Sequence, residues 1–300
     1  MAGRWMGLGS RDEPDRVATE AMHQALNLVD VDGRIVVGEE GKLGWESPLK
    51  SGKEVCSGDG PAMDVVVDAI DGRGLLASGR AGAIAVAAVA PRGAMWCPRP
   101  AVYMEKVVVN REAAESLVPE VMDAPAAWTL ALVARVKKKE VRDLVVFVLD
   151  RPRHRDLINE IRAAGARVML RSDGDIAGAL MAASPNGRVD ILMGVGGVPE
   201  GLVAACAVKA LGGAMLGRLA PQNEREHEAL EGAELDMERI VTDDELVSSD
   251  AIYFAATGIT DGPLLDGVTY HGRRAETHSL ILRGETHSRR FIRAEHLLED

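Results

Sequence analysis

"VVVDAIDGRG", residues 65–74, runs three valines into an acid, Ala69 and Ile70 into a second acid, and then Gly-Arg-Gly. β-Branched residues favour a strand, and the glycines favour the turn that ends it. Asp68 and Asp71 therefore stand where the chain leaves an apolar strand, with Arg73 two residues beyond. Taken singly, acids at a strand end read as solvated turn residues. The apolar run around this pair, with Ile70 between the acids, points instead to a site.

Working outward, residues 16–30 place Ala18, Met22, Ala25, Leu26 and Val29 on one helical stripe. "RIVVGEE" predicts a strand over 34–37 that ends at Glu39 and Glu40, and "AIAVAAVA" predicts another over 83–90. A further strand is expected over 101–109. After a helix over 124–139 the pattern alternates: strands at 143–150, 167–171 and 189–194, with helices near 154–164, 175–183 and 200–211 between and after them. Such βαβ alternation with apolar strands predicts a parallel sheet covered on both faces. A last strand over 251–257 and a hairpin over 275–295 complete the chain. The charge run "VKKKEVRD" suggests a boundary that divides it into 1–138 and 139–300, with the hairpin packing on either part.

The 300 residues are 47% hydrophobic, enough for one large α/β domain or two of medium size. A formal net charge of −11 argues against nucleic acid and anionic membranes, which demand a positive face. Cys56, Cys97 and Cys206 are odd in number, far apart and in no metal-ligand spacing, so they read as reduced thiols. The opening "MAGRWMGLGSRDEPD" has no apolar h-region and no window holds 18 apolar residues, so a cytoplasmic protein is expected.

Acids recur at element ends. Asp15 immediately precedes the first helix, Glu39 follows "IVVG", and Glu200 lies in "GVGGVPEG" after the strand "DILM". Hard divalent cations take oxygen ligands, and several carboxylates converging from separate segments suit them.

"DVVVDAIDGRG" resembles the metal-binding signature of the lithium-sensitive, metal-dependent phosphatases, Asp-Pro-Ile/Leu-Asp/Glu-Gly-Thr/Ser. "DGRIVVGE", "YMEKVVV", "RPRH", "SDGDIAGAL", "GVGGVPEG", "LGRL" and "FAATGITDGPLLDG" narrow the resemblance to the class II fructose-1,6-bisphosphatases (GlpX-like), in order and spacing, over about residues 15–300. It implies a layered α/β/α/β/α fold in two subdomains, the second with a largely parallel sheet. It makes Asp15, Glu39, Asp68, Asp71 and Glu200 ligands of Mg²⁺ or Mn²⁺. There are departures. Asp71 stands where the family usually has Glu, Ala69 replaces the Pro, and Arg73 replaces the Thr that helps orient the attacking water. "EGKLGWESPLK" replaces a more acidic run, and the family's N-terminal helix is shortened or absent.

"LDRPRHRD" concentrates Arg151, Arg153, His154 and Arg155 at a strand's carboxyl end, where ligands bind in open α/β sheets. A solvated helix start is the other reading, although cations there oppose the helix dipole. The resemblance gives Arg151 and Arg153 to the substrate's second phosphate and leaves His154 and Arg155 at the surface. It gives Asp173 and Asp175 to sugar hydroxyls, Tyr103 to a substrate contact, and Gly197 to a close backbone approach. From the residues alone, Asp173 also reads as a helix N-cap and Tyr103 as core.

The expected activity is hydrolysis of one phosphate from a sugar bisphosphate, most simply fructose 1,6-bisphosphate, by a homo-oligomer (dimer or tetramer). A paralogue acting on sedoheptulose 1,7-bisphosphate is the near alternative. A non-catalytic sugar-phosphate binder, or a nucleotide binder using the Gly-rich "GVGGVPEG", is the alternative of another class.

Overall fold

The computed structural model describes residues 1–40 and 45–298. In chain order the elements are α1 (Asp12–Leu26), β1 (Asp32–Val37), β2 (Glu54–Val55), β3 (Ala62–Asp71), α2 (Arg73–Ala77), β4 (Ile84–Pro91) and β5 (Tyr103–Val109). Then come α3 (Arg111–Ala114), α4 (Ala126–Val136), β6 (Val145–Leu149), α5 (Arg155–Ala163), β7 (Arg167–Arg171), α6 (Asp175–Ala183), β8 (Ile191–Gly197) and α7 (Val198–Ala210). The remainder is β9 (Ala214–Leu219), α8 (Glu224–Gly232), β10 (Ile240–Thr242), α9 (Asp243–Leu246), β11 (Tyr253–Gly258), β12 (Thr269–His271), β13 (Arg274–Arg283) and β14 (Ser288–Leu297).

These elements form an α/β fold in two compact units, residues 1–95 with 249–300, and residues 96–248. The boundary expected near 138 falls inside the second unit. The reason is long-range pairing: β5 hydrogen-bonds to β8 and β9, and β11 hydrogen-bonds to β4. The C-terminal hairpin β13–β14 consequently belongs to the first sheet, through β11.

The first sheet has the order β12-β13-β11-β4-β3-β1-β2, with β14 on β13. Helix α1 turns Met22 and Leu26 onto Ile35, Val65 and Val67. Each of those three is at most 2% exposed, and full burial of such side chains stabilises by about 1.5–3 kcal/mol apiece. β3 continues through Asp71, three residues past Asp68, because β4 continues to pair with it.

The second sheet has the order β10-β9-β5-β8-β6-β7. The expected parallel strands β6, β7 and β8 are parallel. The sheet is nevertheless mixed, because β5 inserts antiparallel between β8 and β9. Helices α4 and α5 pack Leu130, Val133, Ile158 and Ile161 on one face, against Val107, Val109, Val146 and Val148. Alternation along β5 turns Met104, Lys106 and Val108 the other way, and each of these is buried. Every residue of α6 is buried, and α7 is buried along most of its length.

Candidate active site

In the first unit the two acids of the opening motif are set by a bulge. Asp68 pairs with Val86 and Asp71 with Ile84, so three steps on β3 match two on β4. In a regular strand, residues three apart leave on opposite faces; one extra residue restores the parity and puts both carboxylates on one face. Asp71 is 4% exposed and Asp68 is half-buried, its Oδ1 accepting from the Ile70 N–H at 3.0 Å. Glu39 joins them from the end of β1, where its Oε1 accepts from the Ala69 N–H at 2.8 Å.

Asp15 lies in the first turn of α1 and is 9% exposed. Its Oδ2 takes Nη1 of Arg73 at 3.1 Å, while its buried Oδ1 has no hydrogen-bond partner among the described residues. Burial raises the Asp15 carboxyl above its ordinary value, and Arg73 offsets part of that rise. Hard oxygen donors and an unsatisfied buried carboxylate oxygen suit a hard divalent ion. Among the described residues, however, no three acids already stand in metal-holding geometry. The guanidinium at Asp15 is the cation this cluster does contain. The divergent stretch after Glu39 includes residues 41–44, which lie outside the described residues.

The second unit gathers a different set at the carboxyl ends of β6 and β8. Arg153 donates to the Val195 carbonyl from Nε at 3.3 Å and Nη2 at 3.0 Å, and its guanidinium lies 4.9 Å from the centre of the Tyr103 ring. Arg151 is half-buried beside it. Neither arginine has a carboxylate partner among the described residues. His154, expected at the surface, is 2% exposed. Its Nε2 accepts from the Val195 N–H at 2.7 Å, which leaves Nδ1 to donate to the Leu149 carbonyl at 2.7 Å. Burial, its largest influence, holds this imidazole below its ordinary value. His154 therefore fixes the arginine turn to β8 as a neutral strut. Arg155 is exposed, as expected.

Asp173 is half-buried; Gly174 occupies the N-cap position of α6, and Asp173 Oδ1 accepts its N–H at 3.2 Å. Asp175, the first residue of α6, is ion-paired to Lys106. Lys106 is 2% exposed, and its Nζ also donates to the Gly197 carbonyl at 3.4 Å. This packing dictates two glycines. A Cβ at residue 196 would lie 2.0 Å from Asp175 Oδ2, and one at 197 would lie 1.8 Å from Glu200 Oε2. The space expected at Gly197 is thus taken by the carboxylate of Glu200, which stands in the first turn of α7. No loop separates β8 from α7, and the Val198 N–H is already bonded to the Val102 carbonyl at 2.9 Å. That removes the phosphate-cradling loop a nucleotide site would need.

The family model of the bacterial fructose-1,6-bisphosphatases, glpX-encoded, matches residues 1–296. The class 2 fructose-1,6-bisphosphatase of Haemophilus influenzae is 36% identical over 311 aligned positions, covering 99% of this chain and 91% of its own length. Fructose-1,6-bisphosphatase 1 class 2 of Escherichia coli K12 is 35% identical over 309 positions, covering 99% and 90%. The chain belongs to the class II fructose-1,6-bisphosphatase family. It is accordingly an enzyme of the phosphoric monoester hydrolase class.

Within this family frame, sequence reasoning missed Lys106 and misplaced His154. A signal for Lys106 existed: it runs directly into the three valines of "KVVV". A buried ammonium needs a counter-charge, but the sequence does not say that Asp175, 69 residues away, supplies it. Burial also pushes the Cys206 thiol up to about 12, far from a reactive thiolate. No helix among the described residues is long and apolar enough to cross a membrane.

Proposed function

We propose that the protein removes one phosphate from a sugar bisphosphate, most simply fructose 1,6-bisphosphate to fructose 6-phosphate, with Mg²⁺ or Mn²⁺ as cofactor, in the cytoplasm. The observation that carries this reading is the strand-end bulge that turns Asp68 and Asp71 to one face, in a chain matching the family over residues 1–296. Relatives named for fructose 1,6-bisphosphate favour that sugar over sedoheptulose 1,7-bisphosphate.

In this reading Asp15, Glu39, Asp68, Asp71 and Glu200 are the ligands. A divalent ion held by them supplies Lewis acidity toward a phosphoryl oxygen and neutralises charge on the leaving group. Arg151 and Arg153 take the second phosphate, for which the planar guanidinium fork is suited. Asp173, Asp175 and Tyr103 orient the sugar. Arg73, paired to Asp15 at 3.1 Å and 38% exposed, stands in for one cation and faces the scissile phosphate with its positive charge.

The test is phosphate release from a panel of phosphorylated sugars, with and without added Mg²⁺ or Mn²⁺. Metal-dependent release from fructose 1,6-bisphosphate is expected, and its loss with retained fold in Asp68→Asn and Glu200→Gln. Absence of metal-dependent release from every bisphosphate would reject the reading.

A further inference from the structure

The stretch "AGRWMGLG", residues 2–9, supplies none of the proposed site residues, yet it packs on the two helices that present Asp15 and Arg73. A 3-10 helix over Ala2–Trp5 buries Ala2 in a small core with Ile70, Leu75, Leu76 and Ala83, against which Ala18 of α1 also packs. Ile70 is the residue between the two strand-end acids. The Arg4 guanidinium lies 5.2 Å from the centre of the Tyr270 ring, on β12. Beyond this turn the Gly7 N–H donates to the Leu76 carbonyl at 2.9 Å, and the Gly9 N–H donates to the Ala77 carbonyl at 3.0 Å. Both bonds reach the C-terminal end of α2, where helix carbonyls lack partners within the helix.

The path requires glycine. Gly7, Gly9 and Gly79 have φ of +76°, +79° and +67°, and a Cβ at Gly79 would stand 3.3 Å from the Gly7 Cα. Helix α2 has five residues, too few to persist without packing. Its position, and with it the direction of Arg73 at its first residue, depends on what holds its far end. Helix α1 starts three residues after Gly9, at Asp12, and carries Asp15 in its first turn. One segment thus ties the end of α2 to the start of α1. The contact of Arg73 Nη1 with Asp15 Oδ2 at 3.1 Å spans the same two helices.

We propose that residues 2–9 form a strap that positions Arg73 on Asp15, with Gly7 and Gly9 as positioning residues. The strap touches no reacting atom and acts through Arg73. It rests on the reading of Asp15 and Arg73 as parts of an ion- and phosphate-binding cluster. With the strap released, the Asp15 carboxylate becomes available to a divalent ion, and the guanidinium is no longer held toward the scissile phosphate.

Gly9→Pro in the full chain tests this, since proline has no N–H to donate and cannot adopt a φ of +79°. The variant should lose roughly 10-fold or more in kcat/KM for fructose 1,6-bisphosphate, the lower bound for a charge-assisted hydrogen bond. In an Arg73→Ala background the same change should cost less than about 2-fold, because the group it positions is already gone. Equilibrium dialysis gives a readout independent of turnover. Gly9→Pro should bind more Mn²⁺ than wild type at the same free concentration, while hydrogen exchange at the amides of β3 and β4 stays as in wild type. A strap that only stabilised the fold would loosen those strands and add no ion. Equal losses in both backgrounds, or wild-type kcat/KM with wild-type ion binding, overturns the proposal. If Gly9→Pro does not fold, deletion of residues 2–9 forces no strained residue on the chain and carries the same readouts. Wild-type protein without metal-dependent phosphate release rejects the hydrolytic reading instead, and ion binding then decides the strap by itself.

Discussion

Replacing Lys106 by Met separates a structural from a ligand-binding account of the second unit's pocket. Methionine nearly preserves the volume of the lysine stem but removes the ammonium. Asp175, 9% exposed, then loses its ion-pair partner, and the Gly197 carbonyl loses a donor. Breaking a buried pair by deleting one member typically costs about 3–5 kcal/mol, because the remaining charge is left uncompensated. For a unit of this size that corresponds to a fall in its melting temperature of roughly 6–20 °C. The double variant Lys106→Met with Asp175→Asn removes both charges and should recover much of the loss. Coupling between the sites should then exceed about 1 kcal/mol in a double-mutant cycle.

Stability is read by hydrogen exchange at amides of 96–248, which reports that unit by itself. Activity is read in parallel: the double variant should be stable yet bind sugar phosphate poorly, because Asp175 is the proposed hydroxyl contact. Two results refute the reasoning. One is a Lys106→Met protein within about 1 kcal/mol of wild type, and the other is a cycle additive within about 0.5 kcal/mol.

Arg153→Ala should weaken hydrolysis of a bisphosphate roughly 10- to 150-fold, the worth of a charge-assisted hydrogen bond of about 1.5–3 kcal/mol, while sparing a simple monophosphate ester; equal losses on both would rule out a second-phosphate site. Arg73→Thr should bind one more divalent ion than wild type in equilibrium dialysis, and Arg73→Ala should lose substrate affinity. Unchanged stoichiometry with intact affinity would make Arg73 a bystander. His154 gives a pH signature, since burial lowers its folded-state pKa below the ordinary value of 6.5. The unfolded chain then takes up a proton first, so the contribution of His154 is present above pH 6.5 and lost as pH falls below it. Thermal melts from pH 7.5 to 5.5 should slope more steeply in wild type than in His154→Gln, and parallel slopes would count against the buried neutral imidazole.

Much of the local structure is legible because periodicity and strand composition act over neighbouring residues. β7 and α6 fall at the expected residues, and the hairpin β13–β14 lies within a residue or two of its expected span. What the sequence withholds is set by pairing between distant segments. The boundary near 138 fails because β5 finds its partners about 90 and 110 residues later in the chain, in β8 and β9. The surface placement of His154 fails for the same reason. Four charged or polar neighbours suggest solvent, yet Val195 and Leu149 supply two backbone bonds that hold the imidazole inside.

The motif at 65–74 shows both sides of this. Composition marks Asp68 and Asp71 as acids in apolar surroundings, but a strict alternation along β3 would send them to opposite faces and leave no common site. Only the step in register against Val86 and Ile84 brings them together, and that step belongs to β4 as much as to β3. Arg73 follows the same logic. The fold delivers Asp15 to it from another helix, 58 residues earlier. A guanidinium held on that carboxylate occupies an oxygen that an ion would otherwise claim. At an effective dielectric near 20, unit charges 4 Å apart interact by about 4 kcal/mol, so a divalent ion at such a distance from Arg73 would face roughly twice that repulsion. The substitution at residue 73 and the ion pair at Asp15 therefore bear on one quantity, the number of cations this cluster can hold.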